Sequence, residues 1–260
     1  MEYMPPKWSQ GTIYYQIFPE RFRKENPFYA PENCVAWGSK PTAFNFMGGN
    51  LNGIRKSLSY LAELGVECIY LNPVFASPSN HKYDTTDYYK VDPHFGSNED
   101  LRILVKEAHE KHIRVILDAV FNHTGTEFFA FADLLKNQEK SEYQSWYHIT
   151  CFPVREEADC YECFFGFAGM PKLNTGNEKV QEYFLNVLEY WVRKVQVDGY
   201  RFDVIDEIDE NFVLKIRDRL KRLNPELVLI GETWAEGKRL LNGCEMDSIM
   251  NYSFRQAMLD

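Results

Sequence analysis

Asp198-Gly-Tyr-Arg-Phe-Asp-Val204 is a β-rich run set between two helical patterns. Ahead of it, Val180, Phe184, Val187, Leu188, Trp191, Val192 and Val195 recur at the spacing of one helix face. Behind it, residues 209–223 predict a second helix and 227–231 a second strand. Strand, helix and strand joined by short connections read as parallel strands with a helical crossover. The same alternation extends toward the N-terminus. Residues 12–18 predict a strand. Residues 50–64 predict a helix with Leu51, Ile54, Leu58 and Leu61 on one face and Gly65 to end it. Residues 66–71 and 114–119 predict two more strands. Between them Ser97-x-x-Asp100 opens a helix whose apolar face is Leu101, Leu104, Val105 and Ala108. Residues 248–250 begin a sixth strand, and a helical pattern follows it.

Chemistry-bearing residues gather where these strands end. Asp118 to His123 follow the third strand, Arg201 to Asp203 the fourth, and Glu232 the fifth. Several successive strands contribute, which favours the C-terminal rim of a (β/α)8-type barrel over the single crevice of a doubly wound sheet. The expected fold is therefore an α/β TIM-type barrel, incomplete, with about six strands. A long irregular insertion follows the third strand. Residues 1–121 form the first part of the barrel, 122–175 the insertion, and 176–260 the continuation, which ends before a seventh strand. Asp203 and Glu232 at the ends of neighbouring strands are the pair of carboxylates that cleavage of a glycosidic bond with retention requires. For either residue alone, a structural ion pair or a solvated strand end is the plainer reading.

Bulk properties narrow the class. A chain of 260 residues, 45% hydrophobic and with no run of 18 apolar positions, reads as a soluble domain rather than a membrane-spanning one. Its start lacks a basic segment followed by an apolar one, so no secretory signal is expected. A net charge of −9 argues against a nucleic-acid groove. With 16 Tyr, 19 Phe and 5 Trp, flat side chains abound, and these suit sugar faces as well as a core. The cysteines suggest reduced thiols in a cytoplasmic protein. In His148-x2-Cys151-x8-Cys160-x2-Cys163, zinc ligation and unpaired thiols are both open readings.

From end to end the chain resembles the α-amylase family of glycoside hydrolases, in particular the cyclomaltodextrinase, neopullulanase and maltogenic amylase subgroup. The resemblance rests on Tyr15-Gln-Ile-Phe-Pro19, Asn45-Phe-Met-Gly-Gly49, His81-Lys-Tyr-Asp-Thr-Thr-Asp-Tyr88, Asp118-Ala-Val-Phe-Asn-His123, Met170-Pro-Lys-Leu-Asn174, Gly199-Tyr-Arg-Phe-Asp-Val-Ile-Asp-Glu207 and Gly231-Glu-Thr-Trp234. Their order and spacing make the likeness specific. It implies a retaining hydrolase of α-1,4 and α-1,6 glucosidic bonds in maltodextrins, cyclodextrins or pullulan. Asp203 would be the nucleophile, and Glu232 the acid and then the base. Such a role needs a proton on Glu232 near neutral pH, helped by burial and by the Asp203 charge. Arg201 would keep Asp203 ionised and oriented, supported by Asp118 from the neighbouring strand. His123 would donate to sugar hydroxyls and Tyr83 would stack on the cleaved ring. Glu207 and Trp234 would face the leaving group. The choice among glucans would fall to aromatics of the insertion, including Trp146, Tyr147, Phe164, Phe165 and Phe167.

No cofactor is required by this reading. Asn122 matches a calcium ligand of many amylases, but the subgroup's calcium loop corresponds to residues 21–27, which carry cations and lack an Asn-Gly-Asp pattern. The family's third acid, an Asp beside a His after the seventh strand, has no counterpart downstream of Glu232. The expectation is thus a fragment of a longer enzyme, weakly active or inactive alone, which pairs with a second copy or with complementary segments. The competing function is a catalytically dead amylase-like barrel used for carbohydrate binding or assembly. An aldolase or isomerase barrel would need a Schiff-base lysine or a phosphate loop at the rim, and neither is found.

Overall fold

A computed structural model of the protein describes residues 4–26 and 31–260. Met1 to Tyr3 and residues 27–30, which include the Pro27 end of the loop considered for calcium, lie outside the described part.

The chain begins with β1 (Tyr14–Ile17) and the short helix α1 (Pro19–Phe22). The single helix expected over 50–64 is two, α2 (Leu51–Lys56) and α3 (Leu58–Glu63). They part at Ser57, whose hydroxyl donates back to Gly53 O at 3.0 Å and accepts from Arg23 Nη1. That side chain competes with the helical ladder at the break. Next come β2 (Cys68–Leu71) and an antiparallel ribbon of β3 (Phe75–Ala76) and β4 (Asp87–Val91) that the sequence reading missed. Helix α4 (Asn98–Glu110) starts at a full capping box of Ser97 and Asp100, as its spacing predicts. It leads into β5 (Arg114–Ala119).

The insertion is less irregular than expected, because it contains α5 (Phe129–Asn137). Phe128 at its N-cap makes no side-chain cap bond, so the usual start signal is absent. Helix α6 (Glu178–Val195) is capped by Asn177 and stops at Gln196 in the left-handed region. After it come β6 (Gly199–Phe202), α7 (Glu210–Leu223), β7 (Val228–Gly231), β8 (Ser248–Ile249) and α8 (Tyr252–Leu259).

Six strands form one parallel sheet in the order β1-β2-β5-β6-β7-β8, curled into a half-barrel. Residues alternate between its faces. Ile69, Leu71, Val115, Leu117, Tyr200, Phe202 and Leu229 belong to the large buried core shared with the helices. Cys68, Tyr70, Ile116 and Val228 form a second, smaller cluster on the inner face. Gly199 is glycine for a steric reason: a Cβ there would lie 2.1 Å from Val228 O on the neighbouring strand.

The insertion is fixed to this frame by Tyr88, which is fully buried. Its hydroxyl donates to Val120 O at 2.8 Å and His123 O at 3.1 Å, and its ring meets Phe121, Phe128 and Phe184 edge-on. Burying one such ring contributes roughly 1.5–3 kcal/mol. The polypeptide leaving β5 is thereby held where it passes over the strand ends. No helix among the described residues is long and apolar enough to cross a membrane.

Candidate active site

Parallel register places Asp118 on β5 opposite Arg201 on β6, so their side chains leave the same face. Asp203, two residues beyond Arg201, continues that face. Glu232 follows the end of β7. One guanidinium joins all three carboxylates. Arg201 Nη1 donates to Asp118 Oδ1 at 2.8 Å and to Asp203 Oδ1 at 2.7 Å, and Nη2 lies 2.7 Å from Glu232 Oε1. All four residues are buried, with Asp203 5% and Glu232 8% exposed.

A polar chain supports the cluster from β1 and β2. Gln16 donates to Asn72 Oδ1 and Asn72 donates to the Tyr83 hydroxyl, both at 2.9 Å; Tyr83 in turn donates to Asp118 Oδ2 at 3.2 Å. Tyr70 donates to the same Asp118 oxygen at 2.5 Å. Glu232 accepts from three sides: Val204 N at 3.0 Å on Oε2, and the Tyr252 hydroxyl at 2.8 Å and Arg201 on Oε1.

Sequence reasoning gave Arg201 the task of keeping Asp203 ionised, but one cation faces three carboxylates. Burial pushes Asp203 well up, reinforced by the charges of Asp118 and Glu232 and opposed by Arg201. Burial also raises Asp118, against Arg201 and its tyrosine donors. With every carboxylate ionised, three negative charges against one positive would leave two unbalanced in a dry site. Such a cluster retains a proton toward neutral pH as a coupled unit.

His123 lies under the insertion. It is fully buried, Phe164 stacks on its ring at 4.8 Å, and its Nε2 has no hydrogen-bond partner among the described residues. A buried imidazole nitrogen without a partner suits donation to a sugar hydroxyl. Burial pushes its pKa down to about 4. The unfolded chain therefore takes up a proton between about pH 6.5 and pH 4 that the fold refuses, and stability falls as pH drops through that window. From pH 7 to pH 4.5 the protein is expected to lose on the order of 2 kcal/mol more than His123→Asn does. Urea midpoints at the two pH values measure this, and equal losses would mean that His123 does not titrate with folding.

The two residues assigned to the leaving-group side are exposed, on the turns after β6 and β7. Glu207 receives Lys172 Nζ at 2.7 Å, which ties the insertion to the turn after β6. Trp234 is exposed and faces Phe165, with ring centroids 5.6 Å apart. Tyr252 was missed by sequence reasoning. It follows the two-residue strand β8, and the rule that rim residues follow strand ends could have found it. Its phenol is pushed up to about 12 by burial and by its bond to Glu232.

Cys163 bridges to Pro171, while Cys160 bonds back to residues 150 and 151. Among the described residues, only Glu157, Asp159 and Cys160 bring three ligand atoms together, and His148, Cys151 and Cys163 stand outside that group. In the loop considered for calcium, Arg23 supplies a fixed cation instead. It contacts Glu25 at 2.6 Å, with Lys56 O and Ser57 Oγ both at 3.3 Å. Asn122 Oδ1 is buried with no hydrogen-bond partner among the described residues.

The family profile described as alpha amylase, catalytic domain, matches residues 16–260. The chain is 47% identical over 260 residues to a cyclomaltodextrinase of Thermoanaerobacter pseudethanolicus, covering 99% of this chain and 45% of that protein. It is 44% identical to an intracellular maltogenic amylase of Bacillus subtilis, covering 99% of this chain and 44% of the relative. Among solved structures, a cyclic alpha-maltosyl-(1→6)-maltose hydrolase of Arthrobacter globiformis superposes with a TM-score of 0.95 at 36% identity. That match covers 98% of this chain and 58% of the other. The chain spans about half the length of the relatives it matches.

Proposed function

The chain belongs to the alpha-amylase family, and from that premise we propose that it carries the nucleophile and the acid/base of a retaining α-glucoside hydrolase. The observation that carries this reading is the bridging of Asp203 and Glu232 by adjacent nitrogens of Arg201, at 2.7 Å each. Such bridging supports the close spacing of about 5–5.5 Å used by retaining enzymes, as against the 6.5–9.5 Å that leaves room for a water in inverting ones.

In the first step the Asp203 carboxylate attacks the anomeric carbon. The glycosidic C–O bond breaks, and the departing oxygen takes a proton from Glu232. In the second step Glu232 removes a proton from water, whose oxygen displaces Asp203 from that carbon and regenerates both groups. Asp118 and Tyr83 hold Arg201 in place, and His123 Nε2 donates to a hydroxyl of the cleaved ring.

The substrate class is α-1,4 and α-1,6 glucosidic bonds of maltodextrins, cyclodextrins or pullulan, supported by relatives named cyclomaltodextrinase, maltogenic amylase and neopullulanase. A cytoplasmic location belongs to the same reading, supported by the word "intracellular" in the Bacillus subtilis relative's name. Proton NMR during turnover of maltotriose and β-cyclodextrin tests the mechanism. The α-anomer of the product should appear first. The β-anomer would refute retention, and binding without any turnover by a version extended to the length of its relatives would favour the carbohydrate-binding alternative.

A further inference from the structure

Residues 147–173 of the insertion fold into a small antiparallel ribbon that backs onto His123. The innermost pairing sets His123 opposite Lys172, with Leu173 N donating to Asn122 O at 2.9 Å. The next sets Cys163 opposite Pro171, and the outermost sets Ile149 opposite Tyr161. At the outer end Cys160 O accepts from Thr150 N at 2.9 Å and from Cys151 N at 3.4 Å. Backbones joined in this way hold their Cα atoms about 5.5 Å apart. That lies within the span of about 4.4–6.8 Å that a disulfide bridges.

The side chains converge as well. Cys160 Sγ is directed at the facing segment, 4.0 Å from Pro153 O, and the Cys151 and Cys160 thiols hydrogen-bond to each other. The loop between them is already drawn closed. Cys160 N donates to Glu157 O at 3.0 Å, and the Thr150 hydroxyl donates to Asp159 O at 2.5 Å. Access differs between the two sulfurs, since Cys151 is partly exposed and Cys160 is fully buried.

We propose that Cys151 and Cys160 form a reversible dithiol latch, closed to a disulfide by exchange with a low-molecular-weight disulfide, which braces the outer end of the ribbon. Only the partly exposed Cys151 can meet an external reagent. Its thiolate attacks one sulfur of the small disulfide, whose S–S bond breaks, and the departing thiolate takes up the proton that Cys151 gave. Cys160 then loses its proton, and its sulfur displaces the second small thiol from Cys151. Two protein thiols are oxidised by two electrons, and one small disulfide is reduced to two thiols. The bond to Cys160, with burial, holds Cys151 above the usual thiol pKa, so the open latch rests protonated near neutral pH. A reversible pair suits the cytoplasmic location proposed above, where disulfides are transient rather than structural. The latch goes beyond the glycosidase reading and needs neither the carboxylates nor a glucan.

Equilibration with oxidised and reduced glutathione at graded ratios, followed by alkylation and peptide mapping by mass spectrometry, tests this. Two of the six thiols should disappear together, and the map should join Cys151 to Cys160. Cys160→Ser should trap Cys151 as a mixed disulfide with glutathione, whereas Cys151→Ser should leave Cys160 unmodified. Circular dichroism of each reduced variant separates a missing link from a missing fold. The closed form should melt about 5 °C higher than the reduced form. A reducing dithiol should erase that difference, Cys151→Ser should lack it, and Cys163→Ser should keep it. Linkage of either sulfur to Cys163, a mixed disulfide that persists in the parent, bound zinc that shields both thiols from alkylation, or equal melting of the two forms would overturn the latch. Each of those results leaves the roles of Asp203 and Glu232 untouched.

Discussion

Replacing Asp203 by Asn is expected to lower turnover of maltotriose and β-cyclodextrin by about 10⁴-fold or more in a version extended to the length of its relatives, while making this chain harder to melt. The loss follows from the first step, because an amide cannot form the glycosyl ester. The gain follows from the site's electrostatics. Asp203 sits in a dry cluster where burial and two neighbouring carboxylates outweigh its share of Arg201, so its folded pKa lies above the unfolded value near 4. A carboxyl raised in this way contributes stability that is present below the unfolded pKa and lost as pH rises through the folded one. Asn does not titrate, so the advantage of the variant should be small at pH 4 and larger at pH 8. A gain on the order of 1 kcal/mol would raise the melting temperature by about 2–4 °C in a chain of this size. Calorimetric scans at the two pH values measure this. Wild-type turnover would sink the nucleophile assignment, and a lower melting temperature at pH 8 would sink the electrostatic account. A variant that melts higher would show Asp203 to be costly to the fold and kept for its chemistry.

That the polar side chains gather at one end of the sheet was legible because period and order are local properties. Six β-rich runs alternating with helical faces give parallel strands, and in parallel strands every C-terminal end meets at one rim. Arg201 and Asp203 fall on one face because they are two residues apart. Contacts that depend on twist, rotamer or a single turn were not legible. Glu232 reaches Arg201 through the curl of the sheet between β6 and β7. Tyr252 reaches Glu232 from a strand only two residues long. The break between α2 and α3 needed a serine bond to its own helix and an arginine from 34 residues upstream. The left-handed turn at Phe165 has no pattern in a Phe-Phe-Gly-Phe run that distinguishes an outward ring from a buried one.

Removing the cation should cost more than removing any one of its partners. Arg201→Met leaves Asp118, Asp203 and Glu232 buried together with no guanidinium, and losing one side of a buried ion pair typically destabilises by about 3–5 kcal/mol. The penalty is electrostatic, so it should depend on pH in a definite sense. At pH 7.5 the cluster must either carry its charge unneutralised or take up further protons from a dilute supply. At pH 4.5 protons are a thousandfold more available, and the deficit of Arg201→Met relative to wild type should shrink by half or more. Arg201→Lys restores the charge, but a single ammonium cannot span three carboxylates as the fork does, so it should fall between the two. Adding Asp203→Asn to Arg201→Met removes one of the repelling charges and should recover part of the loss at pH 7.5 but little at pH 4.5. Urea unfolding followed by circular dichroism separates these cases. A deficit equal at both pH values would mean that Arg201 acts through packing alone, with no account of why three acids converge on it.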